Sequence, residues 1–317
     1  MSPTLGIITD SINDGLSIWR AAGPLFHKSF RSHCNVRHVS GQFGWAEASQ
    51  CDALFFHRPH SQVHYEAMLG CRRMGIPVWC DWDDDLFHVP EGNPAGPLYD
   101  APARARICHM AEMADACTFS TDRLMQVFAK KTVGAQHGRW CVIENAFDPR
   151  MFPIPPAAYR KKPGVVLWRG SATHSRDLDV FRADVEEICA RWQVEWVGFK
   201  PWWASGRLHA ERSPLRYFDL LQTLSPAVVF TPLELTPFNM SKSDIAALEA
   251  TAIGAVCVTN APWLFAEQCL SGEFADHIAR ALEMNGPTVF ACKHYLESRH
   301  IKEMNTLRLS VLGSFFA

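Results

Sequence analysis

TPFNMSKSDIAALEATAIG, Thr236–Gly254, decides the fold when it is read with VVLWRGSATHSRDL, Val165–Leu178. In each, a strand leads through a turn rich in hydrogen-bond donors into a helix. Ser241-x-x-Asp244 has the form of a capping box and Gly254 is a natural stop, so the pattern predicts a helix over 242–252. On that helix positions 242, 246 and 249 share a face, and Lys242 and Glu249 stand about 10 Å apart along the axis. Ala246 keeps the space between them open. A lysine at a helix start suits a phosphate, with an attraction on the order of 4 kcal/mol near a surface. A glutamate two turns on suits the two hydroxyls of a ribose. Gly170 permits a close backbone approach, the Ser171 hydroxyl and neighbouring amides suit a pyrophosphate or sugar oxygen, and His174 suits a sugar hydroxyl. The most economical ligand is a nucleotide-sugar. The competing reading is a solvated helix face and a capping histidine.

Outward from these stretches the chain alternates strand and helix. LGIITD, DALFFHRP, IPVWCDW, ADACTFST and WCVIENAFD read as strands of a first half, and VVLWRG, VEWVGF, AVVFTPL and AVCVTN as strands of a second. Helices are expected at 65–74, 104–114, 123–131, 177–192 and 215–224. Alternation of this kind predicts an α/β chain of two Rossmann-like, doubly wound parallel sheets facing a cleft. The five prolines of 149–164 place the linker there, giving domains over 1–156 and 157–290 and a C-terminal helical segment over 291–317.

The chain has 317 residues, 48% of them hydrophobic and 20% charged, with a formal net charge of -2, which gives no global attraction to nucleic acid. No apolar run approaches the roughly 20 residues of a transmembrane helix, and the N-terminus has no signal-peptide pattern. The 11 cysteines form no CxxC pair and the 14 histidines no zinc spacing, so reduced core thiols and a cytoplasmic location are expected.

WRGSATHSRDL and PFNMSKSDIAALEATAIGAVCVTN, with WCDWDDDLF, ADACTFST and VIENAFD upstream, resemble the GT-B glycosyltransferases, in particular the GT4-like group common in bacteria and phages. The resemblance implies a GT-B fold and a glycosyltransferase that takes a UDP- or GDP-sugar as co-substrate, with no tightly bound cofactor and no metal. It implies host cytoplasm if the chain is phage-encoded. Gly170, Ser171, Asn239, Lys242, Ser243 and Glu249 become donor-site candidates by the resemblance, beside His174 from the reading of its turn. Glu249 matches the second glutamate of the group's E-x7-E pattern. The first falls on Ser241 by counting, or on Thr236 by aligning Pro237-Phe238, and neither is acidic. A nucleotide-sugar epimerase, or a non-catalytic sugar-nucleotide binder of the same fold, is the alternative. The group also implies that the C-terminal segment packs back on the first half.

CDWDDDLF brings Asp81, Asp83, Asp84 and Asp85 to one strand end, where mutual repulsion raises at least one pKa unless cations compensate. Asp81, Asp83 and Asp84, with His57, are the candidates for a catalytic base; an acidic turn and an Asp-x-Asp metal site are the other readings. For the acceptor, a saccharide or lipid-linked glycan stands beside a hydroxymethylated DNA base. The latter is suggested by Lys200, Arg207, Arg212 and Arg216 near Trp202 and Trp203, by Arg160, Lys161 and Lys162, and by Arg123, Lys130 and Lys131. The sequence leaves the oligomeric state open.

Overall fold

The computed structural model describes residues 2–39, 45–133, 139–153, 161–210, 213–263, 267–268, 272–283 and 289–317. Residues 154–160 of the expected linker lie outside them, Arg160 included, as does Arg212.

Six strands make the first sheet: β1 Thr4–Ile8, β2 Asn35–His38, β3 Ala53–His57, β4 Val78–Trp82, β5 Ala116–Phe119 and β6 Trp140–Val142. Six more make the second: β7 Lys162–Gly170, β8 Gln193–Gly198, β9 Arg207–Ala210, β10 Pro226–Thr231, β11 Val256–Thr259 and β12 Glu267–Gln268. The orders are β2-β1-β3-β4-β5-β6 and β12-β11-β10-β7-β8-β9, with every strand pair parallel. The doubly wound architecture read from the sequence is therefore present. The order reverses direction between β1 and β3 in the first sheet and between β7 and β10 in the second. In such sheets the crevice at the carboxyl ends of those strands is where ligands bind.

ALFFH and VWCDW are buried at all five positions, as strands covered on both faces must be. The strands that the sequence did not announce are β2, β9 and the two-residue β12. NVRH and RLHA bury one residue each and sit at or next to sheet edges, so they carry no apolar run. The helix expected over 177–192 is two helices, Ser175–Val180 and Arg182–Arg191, broken at Phe181, whose ring enters the core.

The predicted helix over 242–252 is corrected. A short helix, Pro237–Met240, comes first, and the Thr236 hydroxyl caps it by accepting from the Asn239 amide. The long helix starts only at Ile245 and ends at Ala252, with Gly254 at φ 68 as its stop. Ser241 closes the short helix and donates to the Pro237 carbonyl, so no capping box forms. Asp244 precedes the long helix, but its carboxylate turns away to the Tyr295 hydroxyl (2.5 Å) and Arg299 (2.9 Å). Lys242 therefore stands in the turn between two helices and not on a shared face with Glu249.

The C-terminal helices cross both halves. Tyr295 and Leu296 join the core under the second sheet, while Ile301, Met304 and Leu312 join that of the first. The Asn305 amide donates to the Pro24 carbonyl (2.8 Å) and the Ser29 hydroxyl (2.9 Å).

Candidate functional site

The second sheet supplies one wall. β7 and β8 end side by side with Gly170 opposite Gly198. A Cβ on Gly170 would stand 2.7 Å from the Trp168 ring, and one on Gly198, at φ 91, would run into the Gly170 carbonyl. Glycine at both places lets the two strand ends meet. Ser171 then caps the next turn, its oxygen 2.7 Å from the Thr173 hydroxyl. His174 donates from Nδ1 to Asp177 (2.8 Å), and Lys242 Nζ lies 3.4 Å from its Nε2. Burial, and then the charge of Lys242, lowers the His174 pKa, so the ring is neutral and Nε2 accepts from the ammonium. Asp177 also accepts from the Asn239 amide (2.6 Å) and the backbone of Glu234 (2.9 Å). Asp177, which the sequence reading quoted but did not single out, thus ties the β7 turn to the β10 turn. Asn239 is 3% exposed and gives its second amide hydrogen to the Glu234 carbonyl (2.9 Å), so its donors serve the turn and not a ligand.

Glu249 differs from its expected role. It is 2% exposed, and its Oε2 pairs with Arg169 Nε (2.7 Å) and accepts from the Tyr217 hydroxyl (2.7 Å). The Trp19 indole, from the first half, bonds the same carboxylate. Burial raises its pKa and Arg169 opposes the rise. A carboxylate engaged this way holds structure together and leaves little for a ribose. Arg169 itself keeps Nη2 buried and without a hydrogen-bond partner among the described residues. Arg169 and Tyr217 were missed; an arginine next to the Gly-Ser turn was the available signal for the first.

The first sheet supplies the facing wall. Asp81 belongs to its core: Arg20 reaches both oxygens (2.5 and 3.0 Å) and Thr118 donates at 2.5 Å. Despite burial, Arg20 holds the Asp81 pKa down. The expectation that Asp81 acts as a base is corrected, because its lone pairs face the core and are engaged there. Asp83 is 4% exposed and Asp84 half-buried, and both turn to Arg58. Arg58 Nε is 3.1 Å from Asp83 and its Nη2 3.0 Å from Asp84. Arg58 has φ 50, in the left-handed region that non-glycine residues rarely adopt. Such strain persists only where surroundings enforce it. Burial raises Asp83 to about 6 although Arg58 opposes this. For Asp84 the effect of burial is outweighed by Lys242 and Arg58, which hold it below the usual range. His57 is 3% exposed and pushed down to about 4 by burial.

The two walls meet. Lys242 of the second half is 3.9 Å from Asp84 of the first. Asn145, after β6, donates to the Ser243 hydroxyl (2.8 Å), and Thr121 donates to the Ser241 carbonyl (3.0 Å). Beside this seam about 310 Å³ of solvent-open space lies between Asn93 and the Thr173–Asp177 turn. The structure thus brings His57, Asp83, Asp84, His174, Lys242 and Ser243 to one seam and leaves Asp81 and Glu249 in the cores on either side. Among the described residues no group of three or more His, Cys, Asp or Glu side chains is placed to hold a metal ion, and no helix is long and apolar enough to cross a membrane.

No family model matches the chain, and no curated protein matches its sequence. Solved structures do match. Sucrose-phosphate synthase from Thermosynechococcus elongatus superposes with a TM-score of 0.70 at 10% identity, over 100% of this chain and 99% of that one. HepE of Anabaena, solved in complex with UDP-glucose, gives 0.65 at 11% identity over 98% and 99%. A candidate UDP-N-acetylglucosamine 2-epimerase from Listeria monocytogenes gives 0.54 at 10% identity over 100% and 97%. At these identities the likeness speaks for architecture: the chain has the GT-B fold.

Proposed function

We propose that the protein is a glycosyltransferase that moves a sugar from a nucleoside-diphospho-sugar to a hydroxyl acceptor. The observation that carries this reading is the position of Lys242. It is a cation from the second half, beside His174 at that sheet's switch point and 3.9 Å from Asp84 at the carboxyl end of the first. A diphosphate seated there has Lys242 and the free Nη2 of Arg169 as counter-charges. The UDP-glucose complex of a protein with the same fold is in keeping with this. The sugar then points across the seam, with His57 and Asp83 on the acceptor side as candidate bases.

The test is calorimetric stabilisation by UDP, GDP, ADP and TDP and their sugars, with and without EDTA. Ligands that bind the native state raise its melting temperature by mass action. One nucleotide is expected to give a clear shift that Lys242→Ala diminishes, as about tenfold weaker binding requires. The same shift in the variant, or none with any nucleotide, overturns the proposal. Release of a free epimerised sugar without transfer would move the assignment to an epimerase.

A further inference from the structure

Lys242 already has a counter-ion. Its ammonium stands 3.9 Å from Asp84 Oδ1 of the first half, 3.4 Å from His174 Nε2 and 4.7 Å from the centre of the Phe238 ring. The other oxygen of Asp84 accepts from Arg58 Nη2 (3.0 Å), and Arg58 Nε is 3.1 Å from Asp83. Two cations, Lys242 and Arg58, thus meet two carboxylates, Asp83 and Asp84. Burial leaves His57 and His174 neutral, so neither adds charge.

The residues on either side of Lys242 are tied to the same half. Thr121 donates to the Ser241 carbonyl (3.0 Å), and Asn145 to the Ser243 hydroxyl (2.8 Å). These bonds hold the turn against the first half and keep the ammonium beside Asp84. The contact between the charges is itself loose. At 3.9 Å it is an ion pair without a hydrogen bond, and the two side chains keep 17% and 18% of their surface exposed. Pairs of this kind add little to stability. An ammonium on a phosphate oxygen at hydrogen-bond distance is held more strongly. Phe238, against the ammonium, also lines the solvent-open space beside the seam, so a ligand's approach lies on that side.

We infer that Asp84 is an internal competitor for the donor's diphosphate: its carboxylate neutralises Lys242 across the seam until a phosphate takes its place, and so sets how much negative charge a ligand must bring. This rests on the transferase reading and names a residue that tunes its donor site. Two effects act on a phosphate ligand. A carboxylate that occupies Lys242 for about nine-tenths of the time weakens such a ligand about tenfold. Once displaced, the same carboxylate stays on Arg58, close to the incoming phosphate, and repels a diphosphate more than a monophosphate. An uncharged nucleoside meets neither effect.

The experiment is calorimetric titration at pH 8 of the wild type, Asp84→Asn, Lys242→Ala and the double variant, each checked for folding by its melting temperature. The probes are UDP, GDP, ADP and TDP with the matching monophosphates and nucleosides, in EDTA and again in magnesium. One diphosphate is expected to bind Asp84→Asn about tenfold more tightly than the wild type, its monophosphate to gain less and its nucleoside to gain nothing. In the Lys242→Ala background most of that gain is expected to disappear, because no ammonium is left to release. Asp84→Ser takes the place of Asp84→Asn if the amide variant does not fold. The inference is overturned by unchanged or weaker diphosphate binding in Asp84→Asn, by an equal gain for the nucleoside, or by an undiminished gain in the double variant. Weakening confined to magnesium overturns it in favour of a metal ion shared by Asp84 and the diphosphate. If the wild type binds a diphosphate and Asp84→Asn binds it no better, this inference alone is lost; if neither the wild type nor any variant binds a nucleotide, the transferase reading falls too.

Discussion

The two switch points both bury charge, and they dispose of it in opposite ways. At the second, Glu249 meets Arg169, Tyr217 and Trp19, and its carboxylate is enclosed. At the first, His57 and Asp83 are buried as deeply, yet each keeps a polar atom with no hydrogen-bond partner among the described residues. Asp81 and Asp83, two residues apart, repeat the contrast within one strand end. A buried charge with its partners in place is architecture; a buried polar atom without one calls for a partner that the described side chains do not supply.

The comparison is broken most directly at its architectural side. Asp81→Ala strands the Arg20 guanidinium in the core and is expected to cost about 3–5 kcal/mol, read from the urea midpoint. Glu249→Ala is expected to cost about 3 kcal/mol, at the low end for a broken buried pair because Arg169 keeps 17% of its side chain exposed. An unchanged midpoint in Glu249→Ala, together with lost UDP affinity, would return that residue to the ligand.

The site side has a pH signature. His57 is depressed from 6.5 to about 4, so the stability that its neutral form contributes is complete above 6.5 and is lost as pH falls through 4. Asp83, raised from 3.8 to about 6, contributes in the opposite sense: its stabilisation is complete below 3.8 and is lost as pH rises through 6. Between pH 7 and 4 the wild type is expected to lose on the order of 3 kcal/mol more through His57 than His57→Phe does, measured by urea midpoints at the two pH values. Equal acid sensitivity in the two would mean that His57 is not buried neutral.

Lys242→Ala sharpens the contrast further. It is expected to leave the midpoint nearly unchanged while UDP affinity falls about tenfold, the reverse of Glu249→Ala. The smallest expected effect is Ser243→Ala, about 1 kcal/mol, for the hydrogen bond from Asn145.

The parallel strands were legible because covered strands are apolar along their length, as ALFFH and VWCDW show. The edge strands were not, since one face of NVRH or RLHA meets solvent and no periodicity survives. Lys242 was singled out as the first residue of a helix, and the structure puts it in a turn beside His174 and Asp84. Its companion Glu249 was misjudged because helical spacing was projected back through 241–244, where Asp244 serves the C-terminal helices and no helix exists. Asp81 and Asp83 look alike in sequence. What separates them is Arg20 and Arg58, cations that arrive from other strands and helices and that no local pattern joins to DWDDD.

The helix Gly15–Arg20 ends in two consecutive residues that answer to different halves. Arg20 serves Asp81 in the first; Trp19 lies in the core of the second, edge-on to Phe218 at 5.9 Å and bonded to Glu249. The boundary between the halves in space is thus not the boundary in the chain. A chimera cut at the linker, joining this second half to another protein's first, would inherit Glu249 and Phe218 without the indole they were shaped around. Transplanting Trp19 along with the second half is what would make such a graft whole, so inheritance of the two halves is coupled by one residue far upstream of the joint.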